Sequence, residues 1–134
     1  MDGIEIMKQF VPASPFVAHV GMRLASLEPD RAEVSLPWSE QVVTIGEMVH
    51  GGAIASLIDV AAMAAAWASA DVPQNMRGST VGMTVQYLSA ANKTDLVAHA
   101  VVTKRGKSLV YVDVDVTDAG DQTVAKGLVT YKLG

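Results

Sequence analysis

Residues 50–70 of the chain read HGGAIASLIDVAAMAAAWASA. From Ala53 to Ala70 nearly every position is apolar, and Asp59 carries the only charge. We interpret this segment as a buried helix that ends near Ala70. It is marginally short for a membrane span, holds a carboxylate near its middle and lacks basic flanks. A helix that is apolar on nearly all sides has to be covered on several sides.

Segments with alternating apolar and polar residues lie on both sides of this helix and predict strands. The predicted strands are Met22–Glu28, Arg31–Trp38, Thr80–Leu88, Asp95–Lys104, Leu109–Thr117 and Thr123–Lys132. Arg105-Gly106-Lys107 and Asp118–Asp121 are typical hairpin turns, so the four strands after the helix are expected to form a meander. We therefore predict a single α+β domain over residues 1–134, with an antiparallel sheet wrapped around one long central helix.

The remaining segments carry weaker signals. Residues 4–10 predict a short amphipathic helix, and Pro12 and Pro15 are expected to interrupt the chain after it. Residues 39–49 are expected to form a loop. In the strand Thr80–Leu88, the side chains of Val81, Met83, Val85 and Tyr87 are expected to share one face.

Composition narrows the classes of function. The net charge of −4 and the absence of a long basic run give no reason to expect a nucleic-acid partner. The chain has no cysteine, which excludes disulfides, a cysteine nucleophile and thiolate metal sites. The three histidines share no metal-ligand spacing. The N-terminal residues hold two acids and no apolar run, so we expect a cytoplasmic protein that does not partner a membrane.

The start of the long helix is the first candidate for a functional site. The first amides of a helix have no partner inside the helix and carry partial positive charge. Gly51 and Gly52 leave these amides open to close approach, because glycine has no Cβ. Such a terminus can polarise a carbonyl and hold an oxyanion. The alternative is that the glycines only allow a tight turn and His50 only caps it.

Asp59 is the second chemical feature of the helix. A buried, unpaired carboxylate costs free energy, so it is either satisfied locally or functional. The structural alternative is that Ser56 or a backbone amide satisfies it. The functional alternative is a general base or a nucleophile that acts on an acyl carbon.

The spacing of these two features favours a site between subunits. Gly51 and Asp59 are eight residues apart, which corresponds to about 12 Å of helix rise. One carbonyl cannot contact both on the same helix. Two helices packed antiparallel about a two-fold axis would bring each N-terminus to the partner's carboxylate, with two equivalent sites in a dimer.

Four segments resemble the hotdog-fold acyl-coenzyme A thioesterases of the PaaI-like, phenylacetate-pathway type. The segment His50-Gly51-Gly52 with Asp59 resembles the family signature most specifically. The supporting segments are Tyr87-Leu88-Ser89-Ala90-Ala91, Lys104-Arg105-Gly106-Lys107-Ser108-Leu109, and Ala125-Lys126-Gly127 to Tyr131. The resemblance covers most of the chain and implies the hotdog fold and a homodimer or a tetramer built from two dimers.

The resemblance also implies roles for individual residues. The Gly51 amide would bind the thioester oxygen, and His50 and Gly52 would shape that donor site. Asp59 of the facing subunit would activate water or attack directly, and Thr80 would orient the water. Arg105 and Lys107 would hold coenzyme A phosphates. Thr44 stands where relatives commonly have an Asn that helps to hold the substrate, and no metal or redox cofactor is implied.

Two other functions remain open from the sequence. A hotdog protein can bind acyl-coenzyme A without turnover, and Thr44 is compatible with such a role. A dehydratase or hydratase would pair a histidine with an acid along the acyl chain, but its motifs are not found here.

Gly78-Ser79-Thr80-Val81-Gly82 mimics a nucleophile elbow, yet it lacks the strand before it and the helix after it that an elbow requires.

Overall fold

In the computed structural model, which describes residues 1–134, a six-stranded antiparallel sheet curves around one long helix. The helices are α1 (Gly3–Ala13), α2 (Pro15–Val20) and α3 (Gly51–Trp67), with a 3₁₀ turn over Glu40–Val42. The strands are β1 (Arg23–Glu28), β2 (Arg31–Leu36), β3 (Val43–Ile45), β4 (Met48–Val49), β5 (Gly78–Tyr87), β6 (Leu96–Arg105), β7 (Leu109–Thr117) and β8 (Thr123–Leu133). The predicted α+β hotdog architecture is confirmed.

The central helix α3 lies on the concave face of the sheet. Leu57 and Ile58 are fully buried there, and a run of buried alanines lets the helix sit close to the strands. The approach is tight, because a Cβ on Gly127 of β8 would lie 2.6 Å from Cγ2 of Ile58. The helix ends at Trp67, three residues before the predicted end at Ala70. No helix of the chain has the length and hydropathy needed to cross a bilayer.

The strand order corrects one prediction. The sheet runs β1-β2-β6-β7-β8-β5, so β5 does not pair with β6 and the four strands after α3 are not a simple meander. The two predicted hairpins are confirmed, since β6 pairs with β7 and β7 pairs with β8. Alternation along a strand shows which face is buried, but it does not identify the neighbouring strand, and β5 lies at the far edge beside β8.

The N-terminal third contains more structure than predicted. Helix α1 extends through Pro12, which lies in its last turn, and Asp2 and Glu5 form a capping box at its start. Pro15 begins α2 instead of only breaking the chain, because proline suits the first position of a helix. Residues 39–49, predicted as a loop, contain the 3₁₀ turn and the small β3–β4 hairpin that leads into α3.

Edge strand β5 is only partly covered. Met83, Val85 and Tyr87 pair with the buried residues Val129, Gly127 and Ala125 of β8, so they point to the concave face as predicted. The prediction is wrong for Val81, because a bulge between Thr80 and Gly82 shifts the register and leaves Val81 without a partner. Met83 and Tyr87 nevertheless remain 40% and 53% exposed. Helix α3 contacts β5 through Asp59 and Gly51 but covers the strand only in part, and the outer edge of β5 has no strand partner.

Candidate active site

The amides at the start of α3 are held asymmetrically. The Gly52 N–H donates to Nδ1 of His50 at 2.7 Å, and the His50 carbonyl accepts from Ala53 N at 2.9 Å and Ile54 N at 3.2 Å. The Gly51 N–H has no acceptor within the chain. His50 is therefore a helix cap that occupies the Gly52 amide. Gly51 is the residue whose amide is left free for a ligand.

Tyr87 contacts Gly51 from the end of β5. Its hydroxyl donates to the Gly51 carbonyl at 2.8 Å. Its ring lies 3.4 to 3.6 Å from the point where a Cβ on Gly51 would be. The sequence places Tyr87 in a family segment and on one face of a predicted strand, but it does not predict this contact, because nothing along the sequence indicates that β5 ends beside the start of α3.

A cavity of about 390 Å³ opens beside Gly51. Most of its wall is apolar, and it is lined by Thr44, Met48, Val49, Gly51, Ile54, Tyr87, Leu88, Ser89, Ala90 and Ala91. The structure thus brings Thr44 to the same cavity as the free Gly51 amide. The Ser89 hydroxyl is buried in this wall without a hydrogen-bond partner. An apolar cavity with a few polar groups is the usual form of a small-molecule site.

Asp59 and Thr80 form the second half of the candidate site. Thr80 Oγ1 donates to Asp59 Oδ1 at 2.6 Å, and both residues are half-buried. Asp59 Oδ2 accepts no hydrogen bond within the chain. Ser56 donates to the Gly52 carbonyl at 2.8 Å instead, so the alternative in which Ser56 satisfies Asp59 is wrong. One carboxylate oxygen is therefore held and the other is open.

The surroundings of this carboxylate include a buried phenol. Tyr131 lies opposite Thr80 in the β5–β8 register, and its hydroxyl accepts from Nε1 of Trp67 at 2.9 Å. Burial raises the pKa of Tyr131, the hydrogen bond from Trp67 opposes that rise, and the charge of Asp59 adds to it. The phenol thus stays neutral at physiological pH.

The two halves do not meet within one chain. Gly51 and Asp59 lie on the same helix, with about 12 Å of rise between them. Each chain therefore presents one carbonyl-binding half, with Gly51, and one carboxylate half, with Asp59 and Thr80. No group of three His, Asp or Glu side chains converges as a set of metal ligands.

In the basic hairpin between β6 and β7, the two candidate phosphate ligands have different surroundings. Arg105 uses four N–H bonds, two to Asp30 Oδ1 at 3.0 and 2.7 Å and two to the Ala66 and Ala65 carbonyls at 2.8 and 3.4 Å. Its side chain holds the C-terminal end of α3, against the phosphate role that the resemblance implies. Lys107 is exposed and forms no ion pair, beside a cavity of about 330 Å³. Arg105 also lines this cavity, but of the two candidates only Lys107 is free of an ion pair.

Comparisons with known proteins extend over the whole chain. The family described as "Domain of unknown function (DUF4442)" matches residues 3–133. Human acyl-coenzyme A thioesterase 13 is 31% identical over 97% of this chain and 93% of its own length. The zebrafish thioesterase superfamily member 2 structure is 27% identical, with a TM-score of 0.80 over 97% of this chain and 94% of its own. PaaI from the Escherichia coli phenylacetic acid degradation operon shares the fold, with a TM-score of 0.85 over 98% of this chain and 93% of its own at 18% identity.

Proposed function

The chain belongs to the PaaI-like hotdog-fold thioesterases, through the family described as a domain of unknown function (DUF4442), and on that basis we propose that it hydrolyses small or medium acyl- or aryl-coenzyme A thioesters. Acyl-coenzyme A thioesterase activity in general follows from the family. One observation carries the finer proposal: a free Gly51 amide lines an apolar cavity, and Asp59 exposes one open carboxylate oxygen.

The proposed chemistry uses each half of the site once. The thioester carbonyl accepts a hydrogen bond from the Gly51 N–H, which stabilises the oxyanion as the carbonyl carbon is attacked. As a general base, Asp59 removes a proton from the attacking water, and the carbon–sulfur bond breaks as this proton passes to the leaving coenzyme A thiolate. As a nucleophile, Asp59 attacks the carbon itself, the carbon–sulfur bond breaks to leave a mixed anhydride, and water hydrolyses the anhydride in a second step. In both routes the products are a carboxylic acid and free coenzyme A. Thr80 holds the carboxylate through Oδ1 and leaves Oδ2 free to react.

The proposal requires two subunits. Because Gly51 and Asp59 are too far apart on one helix, the Gly51 amide of one chain works with the Asp59 of a second chain in a homodimer. The uncovered face and unpaired edge of β5 support this arrangement, since pairing there would bring two α3 helices together. A tetramer of two such dimers would leave both sites unchanged.

Lys107 is the proposed contact for a coenzyme A phosphate. Arg105 ties its hairpin to Ala66, about two turns beyond Asp59 on α3. Asp59 and Trp67 are separated by about 12 Å of helix rise, so the hairpin lies on the carboxylate side of the site. The subunit that supplies Asp59 would then also supply Lys107.

The experiment that tests this function is release of free thiol from a panel of acyl- and aryl-coenzyme A substrates. We expect wild-type turnover and a loss of about 100-fold or more in kcat for Asp59→Asn, because a neutral amide cannot accept the proton. Asp113→Asn, an equivalent change on the exposed outer face of β7, is the matched control and should keep full activity. Equal activity of Asp59→Asn and wild type would contradict the mechanism.

One residue of the cavity is a reason to test a second function. Thr44 lines the cavity in place of the Asn that relatives commonly carry, so hydrolysis has one amide fewer to hold the substrate. The alternative function is acyl-coenzyme A binding without turnover. Tight binding of the panel by wild type with no thiol release at any concentration would favour this alternative over hydrolysis.

A further inference from the structure

The amide that binds the carbonyl in the proposed mechanism belongs to an intrinsically flexible segment. Gly51 and Gly52 are consecutive glycines in the first turn of α3, where no helix bond restrains the N–H groups. Glycine has the largest conformational freedom of any residue. A hydrogen-bond donor stabilises an oxyanion only when it is held close to the productive geometry. Other groups must therefore hold this turn in place.

Two side chains restrain the peptide unit between Gly51 and Gly52. Its N–H donates to His50 Nδ1 at 2.7 Å, and its carbonyl accepts from the Tyr87 hydroxyl at 2.8 Å. His50 belongs to the same turn and moves with it. Tyr87 belongs to the sheet, so its bond is the one that ties the turn to an independent and rigid element.

The position of Tyr87 is itself well anchored. Its backbone pairs with Ala125 of β8, and the next two residues, Leu88 and Ser89, both donate to the Val124 carbonyl at 2.8 and 3.3 Å. Its ring also packs against Gly51 and lines the cavity. The hydroxyl is therefore presented to α3 from a fixed point. Tyr87 as a residue is 53% exposed, so it contributes little to the hydrophobic core.

We propose that Tyr87 is a positioning residue, whose hydroxyl holds the first turn of α3 so that the Gly51 N–H points at the thioester carbonyl. This inference rests on the proposed function and assigns to that site a residue that acts through Gly51. Removal of the hydroxyl would leave the cavity wall in place and would loosen the donor. The loss should appear where the carbonyl oxygen is bound, and elsewhere the protein should be unchanged.

The test compares Tyr87→Phe with Tyr111→Phe. Tyr111 lies on the outer face of β7 and its hydroxyl forms no hydrogen bond, so the control removes the same atom without touching the site. For Tyr87→Phe we expect kcat to fall about five- to tenfold, which is the rate equivalent of one lost hydrogen bond, and KM to rise as well, because the ground-state carbonyl is bound by the same donor. Tyr111→Phe should match wild type in both constants.

A binding experiment separates positioning from a general structural role. Two unreactive analogues are used: a coenzyme A ketone, which keeps the carbonyl, and a coenzyme A thioether, which lacks it. Tyr87→Phe should weaken ketone binding about five- to tenfold and leave thioether binding unchanged. Equal weakening of both analogues, or no change in kcat, would overturn the proposal.

The two proposals fail in different ways. If wild type hydrolyses no thioester, the proposed function fails, and the ketone and thioether affinities of wild type and Tyr87→Phe still decide the role of Tyr87. If wild type is active and Asp59→Asn is not, but Tyr87→Phe has the kcat and the ketone affinity of wild type, the proposed function stands and the positioning role is wrong.

Discussion

Asp59 is the only charged side chain in α3, and its environment explains how it is retained there. A carboxylate among apolar residues costs free energy unless donors or water solvate it. Within the chain the only donor is Thr80 Oγ1, at 2.6 Å. The hydroxyl therefore both stabilises the charge and sets the direction in which the second oxygen points. A hydroxyl at position 80 should therefore support turnover in addition to the carboxylate at position 59.

The prediction at this scale concerns the Thr80 hydroxyl. Thr80→Val keeps the shape of the side chain and removes the donor, and a hydrogen bond to a charged group contributes about 1.5 to 3 kcal/mol. We expect kcat for thioester hydrolysis to fall roughly 10- to 150-fold. Thr80→Ser retains the hydroxyl and should recover most of the rate. A fully active Thr80→Val variant would show that the bond plays no part in turnover.

At the scale of elements, the two ends of α3 differ in their hydrogen bonding. The N-terminal end keeps the Gly51 amide free, whereas the C-terminal end is closed by hydrogen bonds. The Ala68 carbonyl accepts from Asp30 N at 2.9 Å, and Arg105 donates to the carbonyls of Ala65 and Ala66. The last carbonyls of a helix carry partial negative charge, so a guanidinium is a suitable partner. The C-terminal end therefore anchors the helix, and the N-terminal end keeps an amide free for a ligand.

Arg105 and Lys107 are therefore expected to differ in what they support. Arg105→Gln should lower the free energy of unfolding by about 1 to 3 kcal/mol, since it leaves helix carbonyls and Asp30 without their donor. Lys107→Gln should change stability by no more than about 0.5 kcal/mol. Chemical denaturation of both variants measures these values.

The same pair can be compared by kinetics. Lys107→Gln should raise KM for coenzyme A thioesters and not for N-acetylcysteamine thioesters, which lack the phosphates. The assignment would be reversed if Arg105→Gln kept full stability and raised KM selectively for coenzyme A substrates.

At the scale of the whole molecule, one chain carries two incomplete half-sites and one incompletely covered strand. On the concave side of β5, Met83 and Val85 are apolar and point toward the helix layer, yet α3 covers only part of this side. Exposed apolar surface on an unpaired edge strand favours association. The proposed dimer would cover this surface and complete both sites in the same step.

Complementation between two inactive variants tests this arrangement. Gly51→Pro removes the carbonyl-binding amide, and proline is tolerated at the first position of a helix after an extended residue such as His50. Mixed in equal amounts with Asp59→Asn and refolded, it should restore roughly one quarter of wild-type activity. Half of the randomly formed dimers are mixed, and each mixed dimer has one intact site.

A control mixture tests the specificity of the rescue. Asp59→Asn and Thr80→Val alter the same half of the site, so their mixture should not exceed the residual activity of Thr80→Val. No rescue in the mixture of Gly51→Pro with Asp59→Asn, despite dimer formation, would show that both groups act within one chain.

Local patterns in the sequence were sufficient for the central helix and for the buried faces of most strands, and they singled out the residues of the candidate site. The apolar run after Gly52 predicts a central helix, and the alternating valines of Leu109–Thr117 predict a strand whose bounds the structure reproduces. The distance between Gly51 and Asp59 also follows from sequence, because helix rise per residue is constant. These features depend on neighbours within a few residues, where periodicity carries information.

The tertiary structure was needed for everything that depends on which elements become neighbours. It places β5 beside β8, brings Arg105 to the last carbonyls of α3, and brings Tyr87 to Gly51 across 36 positions of sequence. Contacts of this kind arise when the sheet closes around the helix. No residue next to Arg105 or Tyr87 along the chain encodes them, because the partner atoms become close only after the core has packed.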